Sequence, residues 1–451
     1  MIDSLSGTPL PSGRGFRERK ITHCFTAHLN PAMIPITPPF IVYFAIFLAG
    51  VCLEVVLTRM NMRHLKEHGH TVPDTFKDSI DHEKSSKITD YTVEKQKFHV
   101  FTLFINSAFF LFIILSGFLP WFLRLVEALD FGLLTSGMIF FSSLALLLGL
   151  FSLPFNYYET FVIEQRHSFN TSTLKIWVTD ILKGVVVGSL VGGILLVSIL
   201  FLIRYGGGLW WLWAWLVFFS FQLLLLIIYP TVIAPWFNRF FPLEDEALET
   251  KVEAIMHQGG LSVDGVFTMD AGKRSRHSNA YFTGLGKTKR IVLFDTLLTS
   301  HSHEEIVAIL AHEIGHWKKR HVLKNLLFIS LVSFAGFYLT SRLLKWPVLY
   351  QTFGFDHGVS YVGLFLVGAL WDAVGWLFSP LGSAISRRFE READAYAAEL
   401  LKRTADLISA LKRLASDNLS NLCPHPVYAW FHYSHPPLSE RIRYLETMGW
   451  R

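Results

Sequence analysis

The chain has 451 residues, of which 51% are hydrophobic, 15% aromatic and only 17% charged, with a net charge of +5 and a mean hydropathy of +0.37. A soluble globular chain carries about 25% charged residues, so this composition excludes a disordered chain, a collagen-like repeat and a row of soluble domains, and it indicates a membrane protein. Three cysteines, Cys24, Cys52 and Cys423, are too few and too far apart for a disulfide framework or a cysteine-type zinc site.

Residues 1–37 are polar and rich in Pro, Ser and Gly, and read as a flexible tail in which Arg14, Arg17, Arg19 and Lys20 precede the first apolar run. A helix needs about 20 apolar residues to cross a hydrocarbon core. Seven runs meet that requirement, near 40–58, 98–119, 131–153, 181–203, 209–233, 325–345 and 359–380. The organisation that follows is a tail, five membrane helices with their loops over 38–233, a soluble segment over 234–324, two further spans over 325–380, and a soluble C-terminal segment over 381–451. The loop 59–97 carries Arg59, Arg63, Lys66, Lys77, Lys84, Lys87, Lys95 and Lys97, whereas the three short loops of the opposite side have little beyond Arg124, Arg204, Arg342 and Lys345; the N-terminal tail, with its four basic residues on that side, is the one discordant element. Lys and Arg stay on the cytoplasmic side of a membrane, so both soluble segments are expected to be cytoplasmic and the positive charge to follow topology, with no nucleic-acid partner. Two spans separate the segments, so they share a face and can build one site whatever the charge.

Within the first soluble segment, His312-Glu313-Ile314-Gly315-His316 lies in a helix-forming stretch whose start is marked by the capping-box spacing of Ser302 and Glu305. Positions i and i+4 share a helix face, so His312 and His316 can offer two imidazoles to one metal, with Glu313 beside the open position as a general base. The same pattern also occurs by chance on polar helices. A catalytic zinc site wants a third protein ligand. The helical stretch from Arg387 to Ala397 offers Glu390 and, four residues on, Asp394. Glu390 can bind zinc while Asp394 accepts the second N–H of a ligand histidine. Glu392 is the weaker ligand candidate, and the arginines at 387, 388 and 391 could instead pair with Glu390 on a solvated face. His301, His303 and His321 are expected at the surface. The helix at 303–345 is expected to run unbroken from the zinc site into the membrane, about 60 Å at 1.5 Å per residue. Short strands are expected at Val263–Thr268, Asn279–Gly284 and Arg290–Asp295.

Taken in order, Asn279 to Gly284, Arg290 to Leu298, the HEIGHW run, Glu390 to Asp394, and Ser434-His435-Pro436-Pro437 with Glu440-Arg441-Ile442 resemble the type 1 CAAX prenyl proteases, the integral-membrane zinc endopeptidases of yeast pheromone and prelamin A maturation, with bacterial relatives. The resemblance covers nearly everything from residue 40 to the end. It implies a mostly α integral-membrane fold: seven transmembrane helices form a hollow barrel with a water-filled chamber. A small α+β, gluzincin-like zinc protease domain caps that barrel on the cytoplasmic face. It implies one Zn2+ per chain, held by His312, His316 and Glu390, with Asp394 behind them. It also implies removal of the C-terminal tripeptide of prenylated CAAX proteins by zinc-activated water attack, with Glu313 as base. On this basis Asn279 lines the substrate and His435 faces the scissile carbonyl. Bottom-up, Asn279 reads as a side-chain hydrogen bond to a peptide paired along an edge strand, or as an ordinary turn residue. His435 reads as an oxyanion donor or as a loop histidine. Arg441 holds either that loop or the substrate. The expected partners are the prenylated peptide and the lipid bilayer, and the expected state is a monomer. The expected location is the endoplasmic reticulum or inner nuclear membrane in a eukaryote and the inner membrane in a bacterium. A membrane quality-control zinc protease is the alternative, although those have about four spans. A seven-span transporter or receptor with a vestigial metal site is a more distant one.

Overall fold

The computed structural model describes residues 35–261, 265–283 and 290–449. The expected N-terminal tail up to residue 34, with its four basic residues, lies outside them, as do Val263 at the start of one expected strand and Gly284 at the end of another.

Among the described residues, seven helices are long and apolar enough to cross a bilayer: Pro38–His68, His82–Leu115, Leu133–Glu164, Leu174–Tyr205, Gly207–Phe237, His321–Leu343 and Ser360–Leu377, the first to seventh spans. Each span packs on the next, the second and third through the stacked rings of Phe109 and Phe151, and the seventh returns to the first. That circuit is a closed ring, and its members bury little of themselves against one another. The apolar window of the sixth span buries none of its residues and that of the fourth only 6%. Helices in a solid bundle bury one face each, so the ring encloses space. One end of the ring is plugged by a cluster that includes Ile114, Leu119, Phe140, Tyr350, Phe353, Tyr361 and Leu366.

Several spans are longer than a bilayer is thick and continue into the soluble domain. At 34 residues the second span is about 51 Å long. Its first turns, with Ile88 and Tyr91, join the soluble core beside Phe76, Val252, Leu310, Ala397 and Ile442. The domain is docked on the spans by charge: Arg274 forms a two-pronged pair with Asp180 at 2.6 and 2.8 Å.

The soluble domain holds a four-stranded sheet: β1 (Phe240–Pro242), β2 (Val266–Met269), β3 (Ala280–Thr283) and β4 (Arg290–Phe294). Its order is β1-β2-β4-β3, with β2 and β4 parallel and the other pairs antiparallel, so β3 is an edge. The expected strands at 279–284 and 290–295 appear within a residue of the described chain. The strand β1 was not anticipated, because three residues with a terminal proline carry no alternation to read.

Among the described residues the domain is completed by the helices α1 (Glu246–Gln258), α2 (His303–Lys318), α3 (Ser379–Leu401), α4 (Ala405–Asp417), α5 (Pro426–His432) and α6 (Leu438–Thr447), with a short helical turn at Asp295–Ser300 leading into α2. The expected continuous helix at 303–345 is in fact two. The first, α2, ends at Lys318. Arg320 adopts a left-handed conformation, φ 56°, and the sixth span restarts at His321. Nothing in Lys319-Arg320 announces this break, since neither residue is Gly or Pro.

Candidate metal centre

Helix α2 begins with both halves of the capping box: the Ser302 hydroxyl accepts from Glu305 N–H, and the Glu305 carboxylate accepts from Ser302 N–H. Glu305 also accepts a 2.6 Å bond from Ser409 on α4, which fixes the start of the helix to the domain. Along its length α2 lies against α3. The approach is closest at Gly315, where a Cβ would sit 2.8 Å from Ala393 Cα and 2.9 Å from Ala393 O. This contact brings the two helices' polar faces together.

The meeting point holds His312 and His316 from α2 and Glu390 from α3. The Nε2 atoms of the two imidazoles are 3.1 Å apart. Glu390 Oε2 is 3.4 Å from His312 Nε2, and Glu390 Oε1 is 3.2 Å from His316 Nε2. Bonds of about 2.0–2.2 Å to a tetrahedral zinc would set ligand atoms about 3.3–3.5 Å apart; the 3.4 Å spacing falls within that range, and those of 3.1 and 3.2 Å lie just under it. The donor set fits too: two imidazoles and a carboxylate are the His2Glu combination of catalytic zinc sites. Glu390 is almost fully buried, and its Oε2 has no hydrogen-bond partner with acceptable geometry, although His435 Nδ1 lies 2.8 Å away. The Arg441 guanidinium stands 3.7 Å from this oxygen, beyond hydrogen-bond reach, so the oxygen is free to take a cation at closer range. Burial pushes the Glu390 carboxyl up, but the imidazoles of His312, His316 and His435 close around it outweigh that and hold the group far below the usual carboxylate range.

Asp394 and Arg441 stand behind His312. The Asp394 Oδ1 atom is 2.7 Å from His312 Nδ1, on the side of the ring away from Glu390. Arg441, on α6, grips Asp394 in two bonds of 2.6 and 2.9 Å. Burial alone would raise the Asp394 carboxyl; the guanidinium of Arg441 and the His312 ring bring it down to about 2. Arg441 is itself buried. The sequence left Arg441 to the loop carrying His435 or to the substrate; in the structure its two bonds go to Asp394, a partner that neither reading named.

The structure departs from expectation at the flanking histidines. His303 is half-buried and pairs with Asp245, but His301 and His321 are buried, not at the surface. His321 Nδ1 lies 3.0 Å from His316 Nδ1, and its Nε2 lies 3.2 Å from Glu392 Oε2. Its ring stacks on Phe389 at 4.1 Å. Glu392 thus serves His321 and is braced by Arg388 and Lys324; it does not reach the metal position. Sequence spacing missed this pair because His321 stands five residues beyond His316, off the shared helix face. Only the left-handed Arg320 turns it back.

Glu313 is half-buried, and its carboxylate has no hydrogen-bond or ion-pair partner among the described residues. Asn279 is exposed at the entrance to the edge strand β3; its side-chain oxygen accepts the following amide N–H. His435 is exposed, so one face of the donor triad is accessible to a ligand.

Comparison with known proteins agrees with this geometry. Residues 61–239 match the family described as CAAX prenyl protease N-terminal, five membrane helices, and residues 242–449 match peptidase family M48. The Arabidopsis thaliana CAAX prenyl protease 1 homolog is 36% identical, covering 83% of this chain and 90% of its own. The CAAX prenyl protease 1 of Saccharomyces cerevisiae is 35% identical, covering 89% and 94%. The chain belongs to peptidase family M48. This M48 protein also superposes on the crystal structure of S. mikatae Ste24p with a TM-score of 0.86 and 34% identity, over 91% of this chain and all of the other. It is therefore an integral, multi-pass membrane metallopeptidase, mostly helical, with a membrane barrel and an M48 domain, as the sequence led one to expect. Its family implies a metal.

Proposed function

We propose that this peptidase is a zinc endopeptidase that removes the C-terminal tripeptide from prenylated CAAX-type proteins. The observation that carries the reading is the convergence of His312, His316 and Glu390 donor atoms to between 3.1 and 3.4 Å, with a partnerless Glu313 beside them. The names of the relatives, CAAX prenyl proteases in plants and yeast, supply the substrate class. When bound, one zinc ion would polarise the scissile carbonyl and acidify a water.

The chain's own residues do the rest. Glu313 takes a proton from the attacking water and later returns it to the leaving amine. Asp394, fixed by Arg441, holds His312 with its Nε2 lone pair toward the donor cluster. The His435 ring, on an exposed loop ahead of two prolines, donates to the oxygen that becomes negative in the transition state. The free edge of β3 holds the peptide extended by main-chain pairing, with Asn279 at its mouth. No side chain forms a covalent bond to substrate.

The charge asymmetry of the loops supports a cytoplasmic zinc site. The test is cleavage by purified protein of a farnesylated CAAX-type peptide and its unprenylated twin. Preferential release of the tripeptide from the farnesylated form is expected. Glu313→Gln should keep its zinc by elemental analysis and lose turnover, because the residue adjoins the water and not the metal. Retention of wild-type cleavage in that variant would end the assignment of the base.

A further inference from the structure

Beside the donor cluster, a cavity of about 600 Å3 opens between α3, α5 and the start of α6. Three arginines line it: Arg387 and Arg391 from α3, and Arg443 from α6. Their charge is poorly compensated. No carboxylate lies within ion-pair distance of Arg387 or Arg443 among the described residues, and Arg391 comes only within 3.8 Å of Glu440. Asp74, on the far wall, is held by Lys77 at 2.6 Å. Arg387 uses Nη1 on the carbonyls of Trp430 and Tyr433, and Arg443 uses Nε on its own helix at Ser439 O. The remaining guanidinium donors are uncommitted. Burial and the nearby Arg391 make Arg387 easier to deprotonate than usual, and Glu440 offsets this only in part.

We propose that this cavity binds the free α-carboxylate at the C-terminus of the peptide substrate, so that the enzyme measures its cut from the chain end. The inference rests on the peptidase reading above and specifies a subsite for it. Charge and planar fork geometry select a carboxylate. Distance places it. The Tyr433 carbonyl that receives Arg387 at 2.6 Å is two residues from His435, whose ring touches Glu390 at 2.8 Å. Arg387 and Arg391 stand three residues before and one after Glu390 on the same helix. Three extended residues span roughly 10 Å, the reach that a tripeptide leaving group has from the cluster toward these arginines.

The experiment compares two farnesylated peptides of one CAAX-type sequence, one ending in the free acid and one in the amide. The enzymes are the purified full-length, zinc-loaded wild type, Arg387→Gln and Arg443→Gln. Wild type should favour the acid by about tenfold in kcat/KM, the worth of one hydrogen bond to a charged group, and mostly through KM. Each variant should bring the acid-to-amide ratio toward one. Arg387 also braces the loop before His435; Arg443 is exposed and bonded only to its own helix, so its variant keeps the test valid if the other misfolds. Equal cleavage of acid and amide by wild type, or an unchanged ratio in Arg443→Gln, overturns the subsite while leaving the peptidase reading intact. Failure of wild type to cut either peptide overturns the peptidase reading itself. If anionic-lipid vesicles alter activity through these arginines while the acid-to-amide ratio stays fixed, the cavity is a headgroup site and the proposal is wrong.

Discussion

Each candidate ligand histidine is gripped from behind, but by different chemistry. His312 faces Asp394, while His316 faces His321, which in turn faces Glu392. A carboxylate accepts, so His321 donates from Nε2 to Glu392 and presents the Nδ1 lone pair to His316. His316 then donates from Nδ1 and keeps its Nε2 lone pair for the cluster. Substituting such a partner commonly costs 10–100-fold in metal affinity, by order of magnitude roughly. His321→Leu should lose zinc to a chelator at least about tenfold more readily than wild type. His321→Asn, whose Oδ1 can stand where Nδ1 stood, should recover most of that affinity, which a loss of packing alone would not allow. On the other side, Asp394 has its carboxyl at about 2 against an ordinary 3.8. A depressed acid stabilises the fold fully above about pH 4 and loses that contribution as the pH falls toward 2. Asp394→Asn, which leaves buried Arg441 with no ion-pair partner nearer than Glu390 at 3.7 Å, should cost about 3 kcal/mol near neutrality. The gap in apparent Tm between the variant and wild type should shrink on acidification; a constant gap would remove the ion pair from the account.

At the scale of elements, the site depends on two helices touching where one has no side chain. A methyl at 315 would meet Ala393 backbone at 2.8–2.9 Å, and backbone cannot swing aside. Gly315→Ala should therefore push α2 and α3 apart at a cost of about 1–3 kcal/mol, and it should lower zinc occupancy more than global stability, since the ligands sit on both helices. Gly315→Ala with full zinc and wild-type activity would show that the contact relaxes freely. Much of this arrangement was legible in advance. The HEIGH spacing, the capping box at Ser302 and the i, i+4 pair Glu390 and Asp394 all express the 3.6-residue period, which a sequence displays directly. The seven spans were legible because lipid demands long apolar runs. What escaped was the turn at Arg320 and everything it positions. A left-handed arginine has no sequence signature, and buried His321 looks the same on paper as exposed His303. The role of Arg441 escaped for a related reason, since its partner is 47 residues away on another helix.

Over the whole molecule, the two halves of the donor cluster come from segments divided by the sixth and seventh spans. An even number of crossings is the only parity that lets them meet on one side of a bilayer. The proposed cytoplasmic side rests on loop charge, because the Lys- and Arg-rich loop between the first and second spans belongs with the soluble domain, through Phe76 and Ile80 in its core. The opposite face carries the short connections near Asp130, Gly208 and His357, all exposed. This arrangement makes a labelling experiment decisive. In a variant with Cys24, Cys52 and Cys423 replaced by serine, single cysteines at Ser79, Glu253 and Glu446 should react together with a membrane-impermeant maleimide from the cytoplasmic face of sealed vesicles. Cysteines at Asp130, Gly208 and His357 should react only from the other. Ser79 and Glu446 reacting from the same side as His357 would break the parity on which the cluster depends, and the barrel, the metal centre and the peptidase reading would fall together. A consistent split with the sides reversed would instead keep the site and overturn only its cytoplasmic placement, since the geometry of the cluster is indifferent to which compartment it faces.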